Sequence, residues 1–405
     1  MTAGGRASLV LSSLALASVL AQSASGSRAP AFVAVRPVRH PPPSSATATL
    51  DSETYEIDGA ALPPIRPGTF AASVRDAIVE RYGAGPARRV LASWNAADVG
   101  HERRAYVGDL PTIRPRVDRP APGESNCVQH CTSYVPGLSI REWWWDEDGV
   151  AIDGAPPRPS WAVDLEKSFP TIREEFLAAT SDPSLASKGS NVWAGALTDD
   201  ASGYGMGWTT LVLMDRGQWD RTNLNLFPET TAAIRKSGIP CTEAFFASMS
   251  PGSNIKLHSD FTNFVLTSHL PLVVPGAPGQ CRLSVGDECR PWKEGSVTLF
   301  DTSIMHDAIN ESDETRYILM FRLWHPDLTK EERGALQLIY DCLEHPGLLS
   351  ADPGEKFMAE QQVAMMKEIP DIVPVSGKGK KKKYVKGKRK NGAASASTGK
   401  GFGAK

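Results

Sequence analysis

HSDFTNFVLTSHLPLVVP, His258 to Pro275, opens on an imidazole and a carboxylate two residues apart and then enters an apolar stretch, Phe264 to Val274, that stops at a proline. A run of that length, rich in Val, Leu, Phe and Thr and bounded by Asp, Asn and Pro-Gly, reads as a buried β-strand. Similar short runs lie on either side of it: Thr209–Leu213, Ala244–Ser248, Ser296–Phe300 and Arg316–Leu323, separated by Gly, Pro, Asp and Asn. Upstream, Leu165, Phe169, Ile172 and Phe176 recur at spacings of three and four, which predicts a helix over Trp161–Ala178. Strands after a helical segment predict a mainly β fold with flanking helices, an antiparallel barrel or sandwich with helices on one side.

The chemistry-bearing residues fall inside this β region. On an extended chain His258 and Asp260 point to one face and can share a cation. His306 follows 48 residues after His258, behind the strand Ser296–Phe300 and a turn at Asp301–Ser303. Ten residues later Arg316 begins a strand on the face of Ile318 and Met320. Two His and one carboxylate leave three adjacent positions open on a metal, the facial arrangement of non-haem Fe(II) oxygenases, although Zn²⁺ tolerates the same ligands. An arginine fork suits the far carboxylate of a 2-oxo acid cosubstrate. On spacing alone, a surface His258 and a turn or cap role for Asp260 remain the competing reading.

A longer set of stretches resembles the aspartyl/asparaginyl β-hydroxylase family of 2-oxoglutarate-dependent oxygenases. It comprises YVPGL at Tyr134–Leu138, the Trp143–Trp145 cluster, LEKSFPTIREEF at Leu165–Phe176 and FPETT at Phe227–Thr231. The stretch at His258–Pro275, WKEGSVTLFDTSIMHDAIN at Trp292–Asn310 and FRLWHPDLT at Phe321–Thr329 complete it, in order over about 130–340. The resemblance implies a double-stranded β-helix (jelly-roll, cupin-like) core with flanking helices. It also implies an enzyme that uses Fe(II), 2-oxoglutarate and O₂ to hydroxylate an unactivated C–H, here on Asp or Asn side chains of a protein or peptide substrate. His258 and His306 match its iron-binding histidines, Arg316 the arginine on the 5-carboxylate of 2-oxoglutarate, and His269 a histidine near the 1-carboxylate. Two departures stand out. Asp260 replaces a glycine of the animal members and agrees with the HxD of bacterial relatives, so His258, Asp260 and His306 form the expected metal set. Thr267 stands where the animal enzymes carry an arginine, and Ala247, beside Ser248, where they carry a serine. Thr267 and Ser248 are therefore the expected cosubstrate contacts, with Lys256 as a possible substitute cation. A non-catalytic binding module on the same barrel, and a lipid or small-molecule hydroxylase, are the alternatives.

The ends differ from the body. The 405 residues carry 44 Lys+Arg against 46 Asp+Glu, a net −2, but residues 1–50 hold four Arg and no acid, and residues 377–405 hold ten Lys and Arg389 and no acid. The segment 51–376 is left at −17. Met1–Ser25 reads as a secretory signal, with Arg6 ahead of an apolar Leu9–Leu20 run, and the Arg/Ser/Ala-rich sequence after it as a linker or the second half of a plastid leader. No run reaches the ~18 apolar residues of a membrane span. The expected division is a signal peptide (1–25), a disordered linker or transit-like segment (26–69), an N-terminal helical extension (70–129), the oxygenase domain (130–345), a C-terminal extension (346–376) and a basic disordered tail (377–405). The tail reads as a solvated segment, or as a tether to an acidic partner, anionic lipid or nucleic acid. Six Cys exclude a disulfide scaffold in so long a chain. Cys127 and Cys131, around His130, favour a disulfide or packing over a metal site, and an oxidising compartment could bridge Cys281 and Cys289 across a turn at Gly286-Asp287. His325, before Pro326, reads as a structural cap.

Overall fold

The computed structural model describes residues 55–57, 59–107, 125–152, 154–181, 194–195 and 207–368. The signal and tail readings, over 1–25 and 377–405, lie outside the described residues. The fold is mixed α/β, built on two antiparallel sheets. Their principal strands are β1 (Trp208–Asp215), β2 (Cys241–Met249), β3 (Ser253–His258), β4 (Val265–Val273), β5 (Cys281–Val285), β6 (Glu288–Pro291), β7 (Thr298–Phe300), β8 (His306–Asn310) and β9 (Arg316–Trp324). The large sheet runs β7-β4-β9-β2-β1, extended by Ala194–Gly195 and with Gln218–Trp219 paired to β1. The small sheet runs β6-β5-β8-β3. The chain repeatedly leaves one sheet for the other, so β3, β5, β6 and β8 face β2, β4, β7 and β9.

Strand alternation sorts the side chains into two layers. In β9, Ile318 and Met320 face the small sheet, whereas Leu319, Phe321 and Leu323 face outward. The outward layer is covered by α3 (Ser160–Thr180) and α5 (Pro228–Ser237); α1 (Phe70–Tyr82) and α2 (Arg88–Asp98) precede α3 in the chain, and the short α4 (Arg221–Leu226) lies between α3 and α5. Leu165, Ile172 and Phe176 of α3 are fully buried against this face, and Phe169 is partly buried there, as their spacing predicts. Trp143, Trp144 and Trp145 are all buried, so the tryptophan run packs inside the fold.

The helical extension joins a third core. α1 and α2 pack with α6 (Lys330–Glu344), where Arg89 makes a two-point ion pair with Glu332, 2.7 and 2.6 Å, and Glu332 also closes the capping box begun by Thr329. A 3₁₀ turn at Pro346–Leu349 and α7 (Pro353–Lys367) complete the described chain. The linker expectation fails from Tyr55 onward, because Tyr55, Ile57, Leu62 and Ile65 are buried in this third core. No helix among the described residues is long and apolar enough to cross a membrane.

The disulfide readings fail for reasons of register. In the β5–β6 hairpin Cys289 lies opposite Ser284, and the Cys281 thiol turns inward to Asn310 Oδ1 at 3.2 Å. Cys127 donates to Glu142 at 3.0 Å, whereas Cys131 is buried in the core of α1 and α2. None of the six cysteines is joined in a disulfide.

Phe246 is the centre of the layer beneath α3 and α5, fully buried with the rings of Phe176 and Phe227 each 4.7 Å away. Phe246→Ala leaves a cavity that the flanking helices cannot close, and urea unfolding should report a loss of about 3–5 kcal/mol.

Candidate metal centre

Between the sheets, the end of β3 pairs with the start of β8 so that His258 stands opposite His306. Their rings lie 4.2 Å apart. After His258 the chain leaves the sheet: Ser259 Oγ donates to the carbonyls of His130 (2.7 Å) and Ser303 (3.0 Å), the Asp260 amide donates to Thr302 O, and Phe261 adopts φ 63°. Asp260 therefore reaches the cavity from a clamped bend, not from the extended strand that its spacing suggested. The outcome is the expected one. His258, Asp260 and His306 each offer a ligand atom, all within 4.8 Å of one another, and all three residues are buried.

The backbone sets the tautomers. His258 Nδ1 lies 2.7 Å from Lys256 O and His306 Nδ1 lies 2.8 Å from Ile304 O. A carbonyl only accepts, so each Nδ1 carries the proton and each Nε2 presents its lone pair. Burial, with His258 close beside it, holds His306 down to about 3, so it is neutral and ready to ligate. Burial pushes the Asp260 carboxyl up, but the Arg322 guanidinium, followed by the two histidines, holds it well below the usual carboxylate range. Arg322 Nη1 donates to Asp260 Oδ2, leaving Oδ1 toward His258 Nε2 at 3.7 Å. The donor set, two imidazoles with Nδ1 engaged by backbone carbonyls and an ionised carboxylate with one oxygen already engaged, fits a divalent ion with open positions.

A second pair of donors faces the same cavity. Arg316 is fully buried, stacks its guanidinium over the Trp292 ring at 4.3 Å, and has no hydrogen-bond partner for Nε or Nη1 among the described residues. Burial brings it down to about 9, so it is still cationic at neutral pH. Trp292 also donates its indole N–H to His269 Nδ1 at 3.2 Å. An indole only donates, so Nδ1 accepts and the ring proton sits on His269 Nε2, which likewise lacks a partner. Burial, then the charge of Arg316, holds His269 well below its usual value. Two buried donors without acceptors are costly unless an anion completes them.

The expected cosubstrate contacts divide. Thr267 is buried, lines the cavity and lies 3.3 Å from Thr302 across their hydroxyls. Ser248 does not reach the cavity: it shares parity with the outward Phe246, and its hydroxyl bonds Thr209 at 2.6 Å. Lys256 is exposed and outside the cavity wall. Sequence reasoning missed Arg322, whose signal was a charged residue in the apolar run Arg316–Trp324, on the parity of Arg316. It also gave no role to Trp292. His325 bonds Ser139 O at 3.0 Å and accepts from the Asp327 amide, a structural link consistent with the cap reading.

Residues 166–326 match the family model described as aspartyl/asparaginyl beta-hydroxylase. The chain is 27% identical over 218 residues to the mouse aspartyl/asparaginyl beta-hydroxylase, covering 51% of this chain and 26% of that protein. It is 31% identical over 164 residues to the ornithine lipid ester-linked acyl 2-hydroxylase of Rhizobium tropici, 39% of this chain and 55% of that one. Against human aspartate beta-hydroxylase domain-containing protein 2 the identity is 33% over 187 residues, 44% and 47% of the two chains. The matched region thus spans from about a quarter to about half of these relatives' length.

Two variants test this geometry. Arg322→Gln leaves Asp260 with its charge buried and its strongest partner gone, and the metal-free protein should lose about 3–5 kcal/mol in urea unfolding. Trp292→Phe keeps an aromatic face under Arg316 but removes the indole N–H. The ¹⁵N shifts of His269 should then move from a pure Nε2–H tautomer to a mixture; unchanged shifts would show that Trp292 does not set it.

Proposed function

We propose that this chain, a member of the aspartyl/asparaginyl β-hydroxylase family through residues 166–326, is an Fe(II)- and 2-oxoglutarate-dependent dioxygenase that hydroxylates an unactivated C–H on an Asp or Asn side chain of a protein substrate. One observation carries the reading: a buried His258, Asp260, His306 triad shares its cavity with two unsatisfied donors, Arg316 and His269. The passage of the chain back and forth between two antiparallel sheets supports a double-stranded β-helix for the core.

Each side chain has a part. His258 and His306 would hold the metal through Nε2 and Asp260 through Oδ1, while Arg322 engages Oδ2. Arg316 and the Nε2–H of His269, both backed by Trp292, receive the carboxylates of the cosubstrate. The apolar walls, Trp208, Ile255, Leu283, Ile318 and Met320, exclude water from the reacting centre. When bound, Fe(II) with 2-oxoglutarate and O₂ supplies an oxidative decarboxylation that yields succinate, CO₂ and one oxygen atom inserted into the substrate C–H. The same apolar walls, together with the likeness to a lipid acyl 2-hydroxylase, favour an acyl chain as the second substrate reading. The leader-like Met1–Ser25 supports a secretory route, or entry into a plastid if the following segment acts as a transit sequence.

Anaerobic addition of Fe(II) and 2-oxoglutarate to the full chain should give a visible metal-to-ligand charge-transfer band, and His306→Ala should abolish both the band and succinate formation. Arg316→Gln should weaken 2-oxoglutarate binding on the order of 10- to 100-fold, the worth of a charged hydrogen-bonded partner. Succinate formation surviving intact in His306→Ala would overturn the assignment. Mass spectrometry for one added oxygen, on peptides against lipid extracts, separates the two substrate readings.

A further inference from the structure

Arg322 stands in a polar row that crosses the large sheet. Thr267 of β4 lies opposite Arg322 of β9, and Arg322 lies opposite Glu243 of β2. Glu243 shares parity with Phe245, Ala247 and Met249, so it faces inward as Arg322 does, and it is buried. Directly opposed side chains on one face of an antiparallel pair are neighbours, and opposite charges there attract. The Arg322 guanidinium is therefore flanked by two carboxylates, Asp260 at the metal centre and Glu243 on the adjoining strand.

The charges continue away from the cavity. Asp215 ends β1 and Arg216 turns the chain with φ 47°. The Arg216 guanidinium lies 3.5 Å from Asp215 and pairs with Glu344 at the end of α6. Burial pushes Glu243 up to about 7, with Arg322 and Arg216 pulling it down and Asp215 and Asp260 adding to the rise. Burial and then the charge of Glu243 also raise the phenol of Tyr340, which reaches this cluster from α6 and stacks on Trp324. Negative and positive side chains thus alternate from Asp260 through Arg322, Glu243 and Arg216 to Glu344.

Buried ion pairs add little stability over apolar residues of the same size, so stability alone is a weak reason for this series. Its inner end gives a better one. An arginine facing a single carboxylate favours a two-point fork that takes both oxygens. Here Arg322 Nη1 meets Asp260 Oδ2, and Oδ1 is left toward His258. We propose that Glu243 is a positioning residue for the metal centre: by holding Arg322 from the side away from Asp260, it keeps the guanidinium off Asp260 Oδ1 and leaves that oxygen for the metal. The inference rests on the metal reading of His258, Asp260 and His306, although Glu243 itself is not part of the cavity wall.

The test is titration of the full chain with Co(II), whose visible absorption reports its coordination. At about pH 8, with Glu243 ionised, Glu243→Gln should bind Co(II) about tenfold more weakly than the parent, with shifted visible bands. Glu243→Asp keeps the charge one methylene further from Arg322 and should fall between the two. At about pH 6 Glu243 is protonated in the parent as well, so the gap between parent and Glu243→Gln should close. In an Arg322→Gln background, Glu243→Gln should change the affinity by less than about twofold, because its effect passes through Arg322. Parental affinity and bands in Glu243→Gln at about pH 8, whatever its unfolding midpoint, would reduce Glu243 to a structural ion pair and overturn the proposal. Should the amide variant not fold, parental affinity in Glu243→Asp would do the same. A full tenfold loss persisting without Arg322 would assign the effect to the field of Glu243 on the metal, again against the proposal. Failure of the parent to bind Co(II) is a separate result, which removes the metal reading and this inference with it.

Discussion

Arg322 and Asp260 meet in the interior, a guanidinium and a carboxylate almost wholly removed from water. Such a pair is expensive to desolvate, and it persists only where the surrounding fold presents both partners in register. Here β9 brings Arg322 inward from the middle of the large sheet. The bend after β3, clamped by Ser259 to His130 and Ser303, brings Asp260 from the other side. The two sheets are thus tied at the point where the histidines also converge. A slip of one residue in β9 would turn Arg322 and Arg316 out of the cavity together.

The stability that sustains this polar interior lies elsewhere. The outward face of the large sheet, with Leu266, Leu270, Leu319 and Phe321 beneath α3 and α5, is an apolar layer. The third core, around α1, α2 and α6, adds a separate apolar mass. The cavity between the sheets can therefore hold a charged network and unsatisfied donors at a cost the rest of the molecule offsets.

Much of the core could be read in the chain because burial on both faces writes continuous apolar runs, as in β2, β4 and β9, and because α3 repeats its apolar residues at helical spacing. The small sheet was less legible. β5 and β8 alternate apolar with Arg, Ser and Asp, and β6 is four residues long, so neither length nor composition separates them from loops. The triad could be named from residue type and likeness, yet the route of Asp260 could not, since a bend with a positive φ at a phenylalanine leaves no compositional trace. Ser248 was misplaced for a simple reason: proximity in sequence to Ala247 says nothing of the face, and one step along a strand reverses it. Arg322 went unread because a lone arginine in an apolar strand resembles an edge residue until its partner's position is known.

The register that parts Cys281 from Cys289 has a practical side. With no crosslink in the described fold, the domain has no bond for thiols or ascorbate to break. The reductants that keep iron ferrous at the bench can be present throughout purification and assay, and folding can run to completion without an oxidant or an isomerase.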